Sequence, residues 1–467
     1  HKVTADGRES TAAAVRWGCD LNCGEVYRDL EEAVKTGLLE EDFVDQAVVN
    51  LMTMRMRLGM FDPSEEVPYT RIPYEVNDCE EHHALALEMA RESIVLLKND
   101  DDMLPLDRNA IKSIAVIGPN ADSMDVLVGN YFGTPSRHVT LLQGIQNAVK
   151  PGTRVWYAEG SSLFDQPGTP WVGKGNRRLG EAVAAAERAD VVILCMGLSP
   201  RVEGEEGDVA NSDGGGDRVR IDLYDCQQEL LEAVHATGTP IVMVLCNGSA
   251  VAISWADANV PAIVEAWYPG GEGGRAVAEV LFGDYCPGGR LPVTFYKSMD
   301  DLPPFTDYAM AGRTYRYFEG EPLYPFGFGL SYTQFAYSDL RLSAREMAVG
   351  ASVDVSITVT NIGDCDGDEV VQLYLRDPEA SSETPRHELR GFERVKLTAG
   401  ESRVVHFTLT PRHMSLIDDA GRRVLEPGQL QVFVGGRQPG PRSETLVASN
   451  LLDDAFQLTG LPQTLAY

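Results

Sequence analysis

Three glutamates packed into one short stretch, Glu203, Glu205 and Glu206 in SPRVEGEEGDVANSDGGGDR (199–218), carry the clearest chemical signal in the sequence. Like charges this close raise one another's pKa, so one carboxyl can stay protonated near neutral pH and act as a general acid. Other readings of the same residues stay open. A charge run is most often a solvated loop. Asp208, Asp213 and Asp217 could form a calcium loop, although their spacing misses the pattern D-x-[DN]-x-[DN]-G. Glu203 could instead cap the element that follows.

Two further stretches compete with it. In YPGGEGGRAVAEV (268–280), the spacing Gly271-x-Gly273-x-x-Ala276 loosely imitates a dinucleotide-binding turn between a strand and a helix. Glu272 would set a carboxylate against phosphate there, and no acidic residue closes a following strand about 20 residues on, so close helix–strand packing is the favoured reading. In VLVGNYFGTPSRHVTLLQGI (126–145), Gly129, Asn130, Gly133, Thr134 and Pro135 make a surface turn. Tyr131 in that turn is an amphipathic ring able to stack on a sugar face and donate a hydrogen bond, with plain packing as the alternative.

These stretches sit where strands should end. From residue 111 onward KSIAVIGPN, RVWYAEG, ADVVILCMGLS, PIVMVLCNGS and VPAIVEAWYPGG are short, rich in Val and Ile, and closed by Gly, Pro or Asn. Strands buried on both faces have this composition. VTLLQGIQNAV, RRLGEAVAAAERA, DCQQELLEAVHAT and GGRAVAEVLFG alternate with them and carry the apolar spacing of amphipathic helices. The alternation predicts a mainly parallel sheet with helices on both faces, and ligands in such sheets gather beyond the carboxyl ends of the strands. Upstream, residues 24–60 predict two short helices broken at Gly37, a Pro-rich linker follows, and HHALALEMARESIVLLKN predicts a helix with an apolar end. Beyond about residue 335, SVDVSITVTNIGD, EVVQLYLRD, LRGFERVKLTAGE, SRVVHFTLTP and QLQVFVGG alternate apolar and polar residues as a small antiparallel sandwich does, and read as a structural or docking module.

Composition narrows the ligand. A chain of 467 residues is too long for one core. Its net charge of −30, with no basic tract, opposes nucleic acid and anionic membranes and favours neutral ligands such as sugars. No apolar run approaches the roughly 18–20 residues that span a bilayer. The eight cysteines lack paired CxxC spacing, which argues against a zinc site, and Cys195 and Cys246 lie in apolar runs as buried thiols do. The opening HKVTADGREST has neither an initiator Met nor a secretion signal, and suggests a fragment or a processed chain.

RMRLGMFDP, ALEMARESIVLLKND with MLPL, SIAVIGPNAD, GNYFGTPS, GLSPRVEGEEGD, AWYPGGEGG, FGDYCPGGRLPVTFY, GRTYRYFEGEPLYPFGFGLSYT and ELRGFERVKLTAGE occur in that order over nearly the whole chain. The series resembles glycoside hydrolase family 3, in its β-xylosidase and β-glucosidase branch. The resemblance implies an α/β fold: a parallel-sheet α/β sandwich domain followed by a fibronectin type III-like β-sandwich, preceded by the last part of a (β/α)8-type barrel. The expected divisions are 1–60 for the barrel remnant, 61–90 for a linker and helix, 91–334 for the α/β sandwich domain with the acid/base loop, and 335–467 for the fibronectin type III-like domain and tail.

The function so implied is a retaining, exo-acting β-glycosidase that removes terminal β-D-xylosyl or β-D-glucosyl residues from oligosaccharides. The alternative is a non-catalytic carbohydrate-binding or scaffolding protein that lost its barrel. The family's nucleophilic Asp sits in the barrel, whose bulk would lie upstream of His1, so the chain alone is expected to be inactive. The family's Glu-x-Glu element falls on Glu203 and Glu205, which makes Glu205 the expected acid/base. Glu206 is the runner-up, because VANSDGGG is inserted before Asp217-Arg218 where many relatives continue at once. Tyr131 resembles a wall of the sugar subsite, and Cys23 resembles a cysteine whose partner lies beside the nucleophile. No metal and no cofactor are implied. The expected partners are an oligosaccharide substrate and, as one option, a second copy in a homodimer, with neither nucleic acid nor membrane. The substrate class places the protein in the periplasm or outside the cell.

Overall fold

The computed structural model describes residues 3–165, 178–204 and 218–466. The chain divides into two compact units, His1–Cys79 and Glu80–Tyr467.

The first unit is helical in its described part. α1 (Gly7–Arg16) starts at Asp6, whose carboxylate accepts from the Glu9 N–H and so satisfies one of the free donors of the first turn. α2 (Leu30–Lys35) stops before Gly37, which takes a φ of +73° that side-chain-bearing residues avoid, and α3 (Glu41–Arg57) resumes beyond it. The break expected at Gly37 is present, but the second helix is long. Ala12, Val15, Ala33 and Leu39 form a small core. Trp17, Met54, Met56, Met60 and Phe61 remain exposed.

The second unit begins with α4 (Glu80–Ser93), which ends sooner than its sequence suggests. IVLLKN, expected to finish the helix, instead supplies β1 (Val95–Asn99), antiparallel to β6 (Ala262–Glu265). The β-branched pair Ile94-Val95 favours the extended chain, and both residues are fully buried. Next come β2 (Ser113–Ile117), α5 (Leu141–Ala148), β3 (Arg154–Ala158), α6 (Leu179–Ala186), β4 (Val191–Gly197), α7 (Asp225–His235), β5 (Ile241–Cys246), α8 (Ser254–Asn259), β6 and α9 (Gly273–Leu281). Among the described residues the strands lie in the order β1-β6-β5-β4-β2-β3, parallel except at β1.

Every residue of β4, β5 and β6 is buried, because each strand is covered on both sides. Val192, Leu194 and Met196 meet α6, α7 and α8, while Val191, Ile193 and Cys195 meet α4, α5 and α9. The chain runs outward from β2 to β3 and then returns to place β4 on the other flank of β2. This reversal makes the carboxyl ends of β2 and β4 the switch point of the sheet, where an open crevice is expected.

A β-sandwich follows. β7 (Phe335–Leu342), β9 (Val353–Asn361) and β12 (Ser402–Leu409) make one sheet. β8 (Glu346–Ala348), β10 (Gly367–Arg376), β11 (Glu388–Leu397), β15 (Gly428–Gly435) and β16 (Leu451–Thr459) make the other. The short β13 (Leu416–Ile417), β14 (Arg423–Leu425) and β17 (Gln463–Thr464) form a small extra sheet. Val353, Val355, Ile357 and Val359 alternate inward along β9, as the period of two requires. The sandwich is seamed to the α/β domain by the ion pair of Arg290 with Glu369 at 3.1 Å and by Gln372 Nε2 donating to the Gly327 carbonyl at 2.9 Å.

Candidate active-site loop

β4 ends at Gly197, where φ is +122° and a Cβ would overlap the Cys246 carbonyl oxygen, so the chain can leave the sheet only as glycine. A tight turn follows, in which the Val202 and Glu203 N–H groups donate to the Ser199 carbonyl at 3.0 and 3.1 Å. Val202 is buried beneath it and Glu203 turns back over the sheet.

Glu203 gathers donors from two other strand ends. Its Oε2 accepts from the Gly248 N–H at 2.7 Å and from the Tyr268 hydroxyl at 2.6 Å, and its Oε1 accepts from the Ser249 hydroxyl. Arg218 Nη1 stands 3.9 Å from Oε1 and itself donates to Ser249 Oγ at 2.6 Å and to the Ala250 carbonyl at 3.0 Å. Glu203 is therefore neither a solvated charge nor a helix cap. It is a half-buried anchor that ties the loop after β4 to the loops after β5 and β6.

Two consequences follow for the electrostatics. Burial, with the negative charge of Glu203 beside it, pushes the Tyr268 phenol far up, so it stays a neutral donor. Burial also pulls the Arg218 guanidinium below its ordinary value, opposed by Glu203, and Arg218 Nη2 has no hydrogen-bond partner among the described residues.

Glu203 and Arg218 flank the segment that holds Glu205 and Glu206. Both of these candidates, like Asp208, Asp213 and Asp217, lie outside the described residues. Tyr131 is described. It is 85% exposed at a φ of +59°, and its neighbour Asn130 donates from Nδ2 to the Glu203 carbonyl at 3.2 Å. The loop after β2 is thus tied to the base of the acidic loop, at the switch point, with the Tyr131 ring turned to solvent.

The glycine loop has the packing role. A Cβ on Gly274 would overlap the Thr140 carbonyl oxygen, and one on Gly144 would overlap the Gly274 carbonyl, so these glycines let α5 and α9 touch backbone to backbone. The Glu272 carboxylate is buried, with Arg137 Nε at 3.3 Å, and its charge would repel a phosphate at this turn.

One acidic group escaped the sequence reading. Glu265, the last residue of β6, is fully buried; its carboxylate accepts from the Trp267 N–H at 2.8 Å and from Asn247 Nδ2 at 2.9 Å. Burial pushes its carboxyl up to about 8, against the pull of these two donors, with the charge of Glu203 adding to the rise. The only signal was an acid closing the apolar run AIVE.

A doubly covered, mainly parallel sheet with a loop anchored at its switch point, followed by a β-sandwich, makes the second unit an α/β domain joined to a sandwich, an architecture that gathers ligands beyond the carboxyl ends of its strands. The family model of the glycosyl hydrolase family 3 C-terminal domain matches residues 94–332, and that of the fibronectin type III-like domain matches residues 369–438. The chain belongs to glycosyl hydrolase family 3. It is 38% identical to a beta-xylosidase of Formosa agariphila over 93% of its own length and 60% of the relative's. It is 36% identical to a periplasmic beta-glucosidase of Salmonella typhimurium, again over 93% and 60%. Among solved structures, a beta-glucosidase from Erythrobacter marinus matches with a TM-score of 0.80 at 34% identity, over 98% of this chain and 61% of that one. A GH3 exo-beta-xylosidase in complex with a xylobiose aziridine probe matches with a TM-score of 0.80 at 28% identity, over 99% and 60%. The chain spans about 60% of the length of the curated relatives it matches.

Proposed function

We propose that this chain supplies the acid/base half of a retaining, exo-acting β-glycosidase that removes terminal β-D-xylosyl or β-D-glucosyl residues from oligosaccharides. Glu205 is the acid/base and Glu206 its runner-up. The observation that carries the reading is the anchoring of Glu203. A carboxylate already accepting from Gly248, Ser249 and Tyr268 is a poor proton shuttle, because protonating it would break those bonds. It is a good foundation for a carboxyl two residues further on.

In the complete enzyme an Asp of a preceding barrel would attack C1 while Glu205 protonates the leaving oxygen. Glu205 would then draw a proton from the water that releases the sugar, the two carboxyls standing about 5–5.5 Å apart. Tyr131, solvent-facing on the neighbouring loop, would wall the sugar subsite. Large apolar side chains left exposed on the first unit, among them Trp17, Met54 and Phe61, support its being the last part of that barrel, where a partner would cover them. The names of the relatives, one of them periplasmic, support an oligosaccharide substrate and a place outside the cytoplasm.

The experiment is a paired assay on aryl β-xylosides and aryl β-glucosides. The chain alone should turn over neither, and the chain joined to an upstream barrel of its own coding sequence should turn over at least one. Hydrolysis by the isolated chain would overturn the division of labour.

A further inference from the structure

Cys286 and Cys365 lie on opposite sides of the seam between the α/β domain and the sandwich. Cys286 follows α9, and Cys365 is in the loop between β9 and β10. The two thiols are neighbours that feel one another's charge, Cys286 Sγ is 3.1 Å from Ser331 Oγ, and a Cβ built on Gly367, two residues beyond Cys365, would sit 3.3 Å from Cys286 Sγ.

The seam around them is fixed. A Cβ on Gly288 would come within 3.0 Å of the Asp368 Cβ, and Arg290 pairs with Glu369 at 3.1 Å, so the two backbones run side by side beyond the cysteines. The Cys365 loop is held from the sandwich side as well. Its carbonyl accepts from Asn361 Nδ2 at 2.9 Å, and Asn361 Oδ1 accepts from the Thr333 hydroxyl at 2.6 Å. Two neighbouring thiols on a seam packed this closely can join without moving one domain against the other. Cys365 is exposed and Cys286 half-buried, so a small oxidant reaches one of them directly.

We propose that Cys286 and Cys365 are a disulfide site that staples the sandwich to the α/β domain. The oxidant is another disulfide, either of a small thiol such as glutathione or of a thiol–disulfide oxidoreductase. The Cys365 thiolate attacks it and expels one thiol; the Cys286 thiolate then attacks the mixed disulfide and expels the second. Two protein thiols become one S–S bond, the oxidant's disulfide becomes two thiols, and the electron pair and both protons end on them. Burial raises the Cys365 thiol above its ordinary value, with Cys286 beside it adding to the rise, so exchange should quicken as the pH climbs. The chemistry is independent of the glycosidase reading; its use in the cell depends on an oxidising compartment.

The test uses the folded full chain equilibrated with oxidised glutathione at about pH 8.5, near the ordinary thiol pKa. Free thiols are then trapped by alkylation and the protein is mapped by mass spectrometry without reduction. The expected result is one cross-linked peptide pair holding Cys286 and Cys365, lost on reduction with dithiothreitol. The oxidised chain should also melt about 4 °C or more above the reduced one, and Cys365→Ala should abolish that difference. Full alkylation of both thiols, glutathione retained singly on Cys365, or a cross-link from either cysteine to another would overturn the proposal.

Discussion

Tyr268 donates its hydroxyl to Glu203 at 2.6 Å, joining the loop after β6 to the loop after β4 across the carboxyl end of β5. The bond makes a side chain at the start of the glycine loop part of the foundation of the acidic loop. Tyr268→Phe removes the donor and leaves the ring. A hydrogen bond to a charged group contributes about 1.5–3 kcal/mol, so a loss in that range is expected in urea denaturation. In the complete enzyme, kcat should fall with it, because the acid/base loop loses a support.

Glu203→Gln keeps the shape but replaces one of the two accepting oxygens with an NH2 group, set either against the Ser249 hydroxyl or against the Gly248 N–H and the Tyr268 hydroxyl. Donors facing donors cost more than one lost bond. The variant should be less stable than Tyr268→Phe, and its residual hydrolysis should fall equally for good and poor leaving groups. Selective loss on poor leaving groups would make Glu203 itself the acid.

Glu265 gives the fold a pH dependence. Its carboxyl titrates near 8 in the folded chain and near 4.3 when unfolded, so the folded state holds the extra proton between those values. The associated stability is complete below the unfolded value and is lost as pH rises to and through about 8. Glu265→Gln, permanently neutral, should remove that slope, on the order of 4 kcal/mol between about pH 5 and pH 9, read from denaturation curves.

Gly274→Ala forces a Cβ onto the Thr140 carbonyl, a backbone atom that cannot turn aside. A loss of about 1–3 kcal/mol or more is expected, with no effect of added nucleotide on the melting temperature of the native chain. Nucleotide stabilisation would restore the dinucleotide reading of this loop.

The elements were legible where local composition decided them. The runs VVILCMG and IVMVLC could only be strands buried on both faces, and Gly37 could only interrupt a helix. IVLLKN was misread because no turn residue separates it from α4, and only its pairing with β6 makes it a strand. Glu203 was visible as one of a cluster, but its partners, Arg218, Gly248, Ser249 and Tyr268, come from three places in the sequence that meet only when the sheet forms. Glu265 was invisible for the opposite reason: a single acid at the end of an apolar run has no periodicity, and its burial comes wholly from neighbouring strands and helices.

The most direct measurement is azide rescue in the complete enzyme. With Glu205→Gln, hydrolysis of an unactivated β-glycoside should fall about 10²–10⁴-fold, the usual contribution of a general acid/base. Azide should then restore turnover of an activated aryl glycoside by trapping the glycosyl-enzyme as a β-glycosyl azide. Wild-type rates in Glu205→Gln, or rescue in Glu206→Gln but not in Glu205→Gln, would contradict the assignment of Glu205 as the acid/base.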